Sequence, residues 1–170
     1  FEAPPSHRAT VPVLVDPMTN RILGNESAQL VELLNEWPSD QPGSDFNPPD
    51  QAQAIEDWQA LLQPFVNDGV YRCGFATSQS AYDESIETLF EGLDDLEARL
   101  NRQRYLVGSQ ITEADWRLFP TLLRFDPVYV GHFKCDRQRI SDYPNLNGYL
   151  RELFQIPGIR ETIDMPATRL

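Results

Sequence analysis

The sequence predicts an α+β chain: a β-hairpin and one helix, a linker, and then a domain built only of helices. Three observations predict it. Two short β-rich runs flank a cluster of turn residues within the first 24 positions, a stretch dense in Pro, Gly, Ser and Asp follows near residue 40, and every later apolar pattern recurs at three-and-four spacing. The expected organisation is residues 1–36, a linker over 37–50, and a helical domain over 51–170.

Phe1 to His7 is polar, bears proline and has no period, as in a loop. Val11–Asp16 (VPVLVD) and Arg21–Gly24 (RILG) alternate as strands do, and Pro17, Thr19 and Asn20 between them favour a tight turn. Asn25, Glu26 and Ser27 are helix-start residues, followed by Leu30, Val31, Leu33 and Leu34 on one face. Two strands and a helix bury too little to be stable alone, so this unit needs a partner to complete its core.

Beyond the linker, Gln51 to Asn67 places Ile55, Trp58, Leu61, Leu62, Phe65 and Val66 at helical spacing. The strongest helix is Ser80 to Asn101, where Tyr82, Ile86, Leu89, Phe90, Leu93, Leu96 and Leu100 form one stripe opposite a charged face. Such a stripe is core. Thr112-Glu113-Ala114-Asp115 has the form of a capping box, in which a hydroxyl and a carboxylate satisfy amide groups at the helix start. It opens a helix through Trp116, Leu118, Phe119, Leu122 and Leu123, with a kink expected at Pro120 and a break at Asp126-Pro127. Asp115 therefore has a folding role, not that of a catalytic acid. Tyr143-Pro144 opens a further helix that Pro157-Gly158 ends.

Composition narrows the function. A formal charge of -12 disfavours nucleic acid and anionic membranes as partners, because both require clustered Lys and Arg. No apolar run reaches the roughly 20 residues of a membrane span, and the N-terminus lacks the order of a signal peptide, so an interior compartment is expected. Cys73 and Cys135 are far apart and only His7 and His132 could join them, which argues against a metal site and for two reduced, packed thiols.

Two runs carry more. GVYRCGFATSQSAYDES (Gly69–Ser85) and RYLVGSQITEADWRLFPTLLRFDPVYVGHFKCD (Arg104–Asp136) join helical apolar spacing to aromatics and turn glycines at fixed offsets. They resemble the helical half of a glutathione transferase, more narrowly the Xi class of glutathionyl-hydroquinone reductases. The resemblance implies that residues 1–36 are the C-terminal half of a thioredoxin-like domain and that residues 51–170 are the glutathione-transferase helical bundle.

It also implies roles. Val11, preceding a cis Pro12, offers its backbone to the cysteinyl part of glutathione; read from the residues alone, a trans bond is the commoner state. Glu26 and Ser27, otherwise a plain helix cap, face the γ-glutamyl end of glutathione, where a helix N-terminus suits a carboxylate. Tyr71 and Tyr129, otherwise packing residues in apolar loops, line a quinol pocket in which a phenol can stack on the ring and hydrogen-bond its oxygens. Their hydroxyls should face a common space.

The implied co-substrate is glutathione, with no metal, and the implied partners are glutathione and quinol conjugates. The reaction is thiol-dependent reduction of a glutathionyl-hydroquinone by a cysteine thiolate at a helix start, in a Cys-Pro-Trp-Ala type motif that residues 1–170 do not contain. The family's nucleophile belongs upstream of Phe1 and a further pocket tyrosine downstream of Leu170, and Val15 stands where the family commonly has Trp. The alternative is a non-catalytic glutathione-transferase-like subunit that acts as a binding or assembly module. A homodimer, or a place in a larger complex, fits either reading, as does a cytoplasmic or other reducing interior location such as an organelle stroma.

Overall fold

The computed structural model describes residues 11–38, 43 and 45–168. The expected loop at Phe1–His7 and part of the expected 37–50 linker lie outside them. The chain divides into two compact units, Phe1–Asn47 and Pro48–Leu170.

In the first unit, β1 (Leu14–Asp16) pairs antiparallel with β2 (Arg21–Gly24), Val15 lying opposite Ile22 and Asp16 opposite Arg21, with a register shift between Leu14 and Val15. The first strand is shorter than the expected Val11–Asp16, since Pro12 has no N–H to give a ladder. The Asp16 carboxylate organises the turn by accepting the Met18 N–H at 2.8 Å and the Thr19 hydroxyl at 2.6 Å, while Asn20 takes the left-handed φ of 54° that Asn tolerates. Helix α1 (Ser27–Asn35) starts at the expected place and buries no residue.

The second unit holds the core. Helix α2 (Ala52–Leu62) widens into a π-turn over Gln63–Asn67, and α3 (Gly69–Gly74) follows. The long α4 (Gln79–Leu100) is capped by Ser78, whose hydroxyl accepts the Ala81 N–H at 3.2 Å. Helix α5 (Glu113–Arg124) runs through Pro120 without leaving α geometry; the expected break comes afterwards, as a second π-turn over Phe125–Tyr129. A short α6 (Val130–His132), α7 (Pro144–Phe154) with Pro at its first position, and α8 (Met165–Thr168) complete the unit.

Helix α5 is central because its cap is buried and saturated. The fully buried Asp115 carboxylate accepts the Thr112 N–H (2.8 Å), the Thr112 hydroxyl (3.0 Å), the Leu106 N–H (3.0 Å) and the Tyr149 hydroxyl (2.8 Å), so one side chain ties α5 to the preceding loop and to α7. Leu118, Leu122 and Phe125 then meet Leu89, Phe90 and Leu93 of α4 and Leu146 and Leu153 of α7 in one cluster. A second tie crosses between helices: Glu97 of α4 accepts the Asn145 and Leu146 N–H groups at 2.9 and 2.8 Å, capping α7 with a carboxylate from another helix. Asn67 joins the first π-turn to α5, accepting the Thr121 hydroxyl at 2.6 Å and donating to the Arg117 carbonyl at 3.3 Å.

Candidate functional site

Tyr71 and Tyr129 meet. Their hydroxyl oxygens are 3.3 Å apart and their rings cross edge to face at 5.8 Å, although 58 residues separate them in sequence. Neither lies in a loop, contrary to the expectation. Tyr71 is on α3 and Tyr129 closes the second π-turn, because the glycines at 69 and 74 bound a helix and Asp126-Pro127 widens the helical path without ending it.

The pair is asymmetric. Tyr129 is buried, backed by the Phe125 ring at 6.4 Å, whereas Tyr71 is 45% exposed. Burial, and then the hydrogen bond to Tyr71, raise the Tyr129 phenol well above its ordinary range. Tyr129 therefore stays a protonated donor at neutral pH. When it donates to the Tyr71 oxygen, the Tyr71 O–H is left to donate outward.

Two aromatics missed in the sequence complete the site. Phe133 stacks on Tyr129 at 5.4 Å and 23° and meets Tyr71 edge-on at 5.5 Å; Phe75, 71% exposed, stacks on Tyr71 at 6.3 Å. Phe133 lies so close to Gly74 that a Cβ there would fall 2.4 Å from its ring carbon. That glycine, beside an exposed Phe in GF and three residues after Tyr71, was the available signal. The four rings form an aromatic wall with a single inward phenol pair, suited to a flat ring carrying oxygens.

Around this wall, Arg124 of α5 lowers the tendency of Tyr129 to stay neutral, though less than burial raises it. His132 is exposed. Cys73 and Cys135 are both free and buried, as expected of packed thiols, and they are hydrogen-bonded to one another. Among the described residues no cluster of His, Cys, Asp and Glu could hold a metal ion, and no helix is long and apolar enough to cross a membrane.

In the first unit, the Val11-Pro12 bond is cis and Val11 is exposed. Glu26 is the N-cap of α1, with extended backbone (φ -95°, ψ 120°), its carbonyl accepting the Leu30 N–H at 3.0 Å and its side chain making no cap bond; Ser27 is the first helical residue. Both side chains are exposed. Val15 is 37% exposed.

Residues 79–152 match the family described as Glutathione S-transferase, C-terminal domain. Glutathionyl-hydroquinone reductase YqjG of Escherichia coli is 50% identical over 167 residues, spanning 96% of this chain and 51% of that protein. PcpF of Sphingobium chlorophenolicum, also named a glutathionyl-hydroquinone reductase, is 45% identical over 93% of this chain and 51% of its own length. The glutathione-bound structure of YqjG superposes with a TM-score of 0.93 at 48% identity, covering 96% of this chain and 54% of that one. Glutathione transferase Xi 1 of Trametes versicolor superposes at 0.91 with 42% identity, covering 96% of this chain and 58% of that one. The chain belongs to the glutathione S-transferase superfamily, in its Xi class. It spans about half the length of the curated relatives it matches.

Proposed function

We propose that this chain is part of a glutathione-dependent reductase of glutathionyl-hydroquinones, with Tyr71 and Tyr129 as its quinol-directed pair. The observation that carries the reading is the 3.3 Å approach of the two hydroxyls within an aromatic wall. Relatives named glutathionyl-hydroquinone reductases, at 50% and 45% identity, support the substrate class.

In this reading a cysteine thiolate outside residues 1–170 attacks the glutathionyl sulfur of the conjugate. The carbon–sulfur bond breaks with its electron pair leaving on the quinol ring, whose carbon takes up a proton, and a cysteine–glutathione mixed disulfide remains. A second glutathione thiolate attacks that disulfide, releasing glutathione disulfide and restoring the thiolate. Glutathione consumed, hydroquinone and glutathione disulfide formed: the electrons balance. Tyr71 donates to a quinol oxygen as negative charge develops on the ring, and Tyr129 holds Tyr71 in the donating orientation. Val11, Pro12, Glu26 and Ser27 hold glutathione, the cis-Pro backbone beside its cysteinyl amide and the α1 start beside its γ-glutamyl carboxylate. Such chemistry belongs in a reducing interior compartment, where glutathione is abundant.

The test is kinetic, on the complete protein. Tyr71→Phe should lower kcat/KM for the conjugate by about 10-fold, equivalent to ~1.4 kcal/mol for one hydrogen bond, and Tyr129→Phe somewhat less, while glutathione affinity stays unchanged. Full activity in both variants would show that the pair only packs.

A further inference from the structure

The tyrosine-bearing segments are joined a second time, directly behind the aromatic wall. Cys73, two residues after Tyr71, and Cys135, six after Tyr129, lie with their thiols in hydrogen-bond contact. Cys135 is held in place by its own backbone, its N–H donating to the Tyr129 carbonyl at 3.1 Å, and its Sγ also lies 4.0 Å from the Val70 carbonyl oxygen of α3. Phe133 packed on Gly74 and the Tyr82 hydroxyl donating to the Lys134 carbonyl at 2.6 Å clamp the two segments on either side. None of these contacts is used by the chemistry of the tyrosine pair.

The two sulfurs are not equivalent. Cys73 borders an open pocket of about 370 Å³ whose lining includes Thr77, Ser78, Tyr82 and His132, while Cys135 is fully enclosed. The Cys135 thiol donates to Cys73, which lowers the Cys73 pKa; the same bond, then burial, raises that of Cys135. The more readily ionised sulfur is the one beside the opening. Only 4% of Cys73 is exposed, so the oxidant that reaches it must be small.

We propose that Cys73 and Cys135 form an oxidisable dithiol, a modification site for a small peroxide in which Cys73 attacks and Cys135 resolves. The Cys73 thiolate attacks one peroxide oxygen; the oxygen–oxygen bond breaks, hydroxide leaves, and Cys73 becomes a sulfenic acid. Cys135 gives up its proton and attacks the Cys73 sulfur, expelling the hydroxyl as water, and a disulfide forms. Two thiols are oxidised by two electrons and one peroxide is reduced to water. The product staples α3 to the segment after α6 and so fixes the two chain segments that carry Tyr71 and Tyr129.

The site is independent of the reductase reading, and its test reads cysteine chemistry alone. The complete protein is treated with hydrogen peroxide, unfolded in an alkylating agent and cut with trypsin, which cleaves after Arg72 and Lys134 so that two separate peptides begin at Cys73 and Cys135. Expected is one disulfide-linked pair of these peptides, two hydrogens lighter than the reduced sum and released by dithiothreitol. In Cys135→Ser, or in Cys135→Ala should the serine variant not fold, dimedone should trap Cys73 as a sulfenic acid. In Cys73→Ser, Cys135 should remain an alkylatable thiol. Recovery of both wild-type cysteines as alkylated thiols, over-oxidation of Cys73 without linkage, linkage of either to a different cysteine, or trapping of Cys135 first would overturn the proposal.

Discussion

The two units of this chain solve the problem of apolar surface in opposite ways. From Pro48 onward, Leu89, Leu93, Leu106, Leu118, Leu146 and Leu153 are fully buried in one cluster. In the hairpin and α1, Val13, Ile22, Leu23, Leu33 and Leu34 are all at least about a third exposed, and no helical residue is buried. The same residue types occur in both. What differs is the number of layers: a helix needs neighbours on its apolar stripe, and α5 has them whereas α1 has a two-stranded ribbon. The helical unit therefore holds its own stability, and the first unit contributes backbone geometry at Val11-Pro12 and at the start of α1.

The sharpest way to break that contrast is to remove the buried polar hub. Asp115→Ala strands the Tyr149 hydroxyl and the Leu106 and Thr112 N–H groups, and should cost the helical unit about 4 kcal/mol in urea denaturation. A loss below ~1 kcal/mol would mean that the hub is dispensable. Gly74→Val comes next: its Cβ meets the Phe133 ring at 2.4 Å, so α3 or Phe133 must shift, at about 2 kcal/mol, and the Tyr71–Tyr129 contact should loosen with it. Ring-current shifts of Tyr129 by NMR would report that movement.

Base should reveal the helical unit in a third way. Burial, and the hydrogen bond it donates to Glu152, push the Tyr105 phenol up to about 12, and burial raises Tyr143 and Tyr149 as well. An unfolded tyrosine titrates near 10, so this contribution is fully present below about pH 10 and is lost as pH rises through 12. Stability measured across that window should fall, and less steeply in Tyr105→Phe. The smallest effect is expected in the first unit, where Leu34→Ala, at a side chain 64% exposed, should move the unfolding of the helical unit by less than ~0.5 kcal/mol. A larger change would show that the two units share their stability.

Much of this was legible in the sequence because it is local. The α4 stripe, the Thr112–Asp115 box and Pro144 at a helix start each depend on residues within a few positions of one another, and all three stand where the pattern puts them. What escaped depends on contacts between distant segments. Glu97 capping α7, Phe133 seated on Gly74 and the touching thiols of Cys73 and Cys135 have no short-range signature. The tyrosine pair was reached through family resemblance, not through spacing. Its helical setting was missed because Pro64 and Pro127 read as stops, whereas each sits inside a π-turn that carries the helical path onward.

Those π-turns have a consequence for how the chain tolerates change in length. A π-turn holds one more residue than the α-turn it replaces, and in an α-helix each residue advances the side chains by about 100°. Deleting one residue from Phe125–Tyr129 would let that stretch relax to regular α geometry and preserve a continuous helix, yet everything after it would be rotated by roughly a quarter turn. Tyr129 would swing away from Tyr71 and Phe133 from Gly74. The spare residue acts as a phase setting, and a protein that lost it would keep its helices while its phenols no longer faced each other.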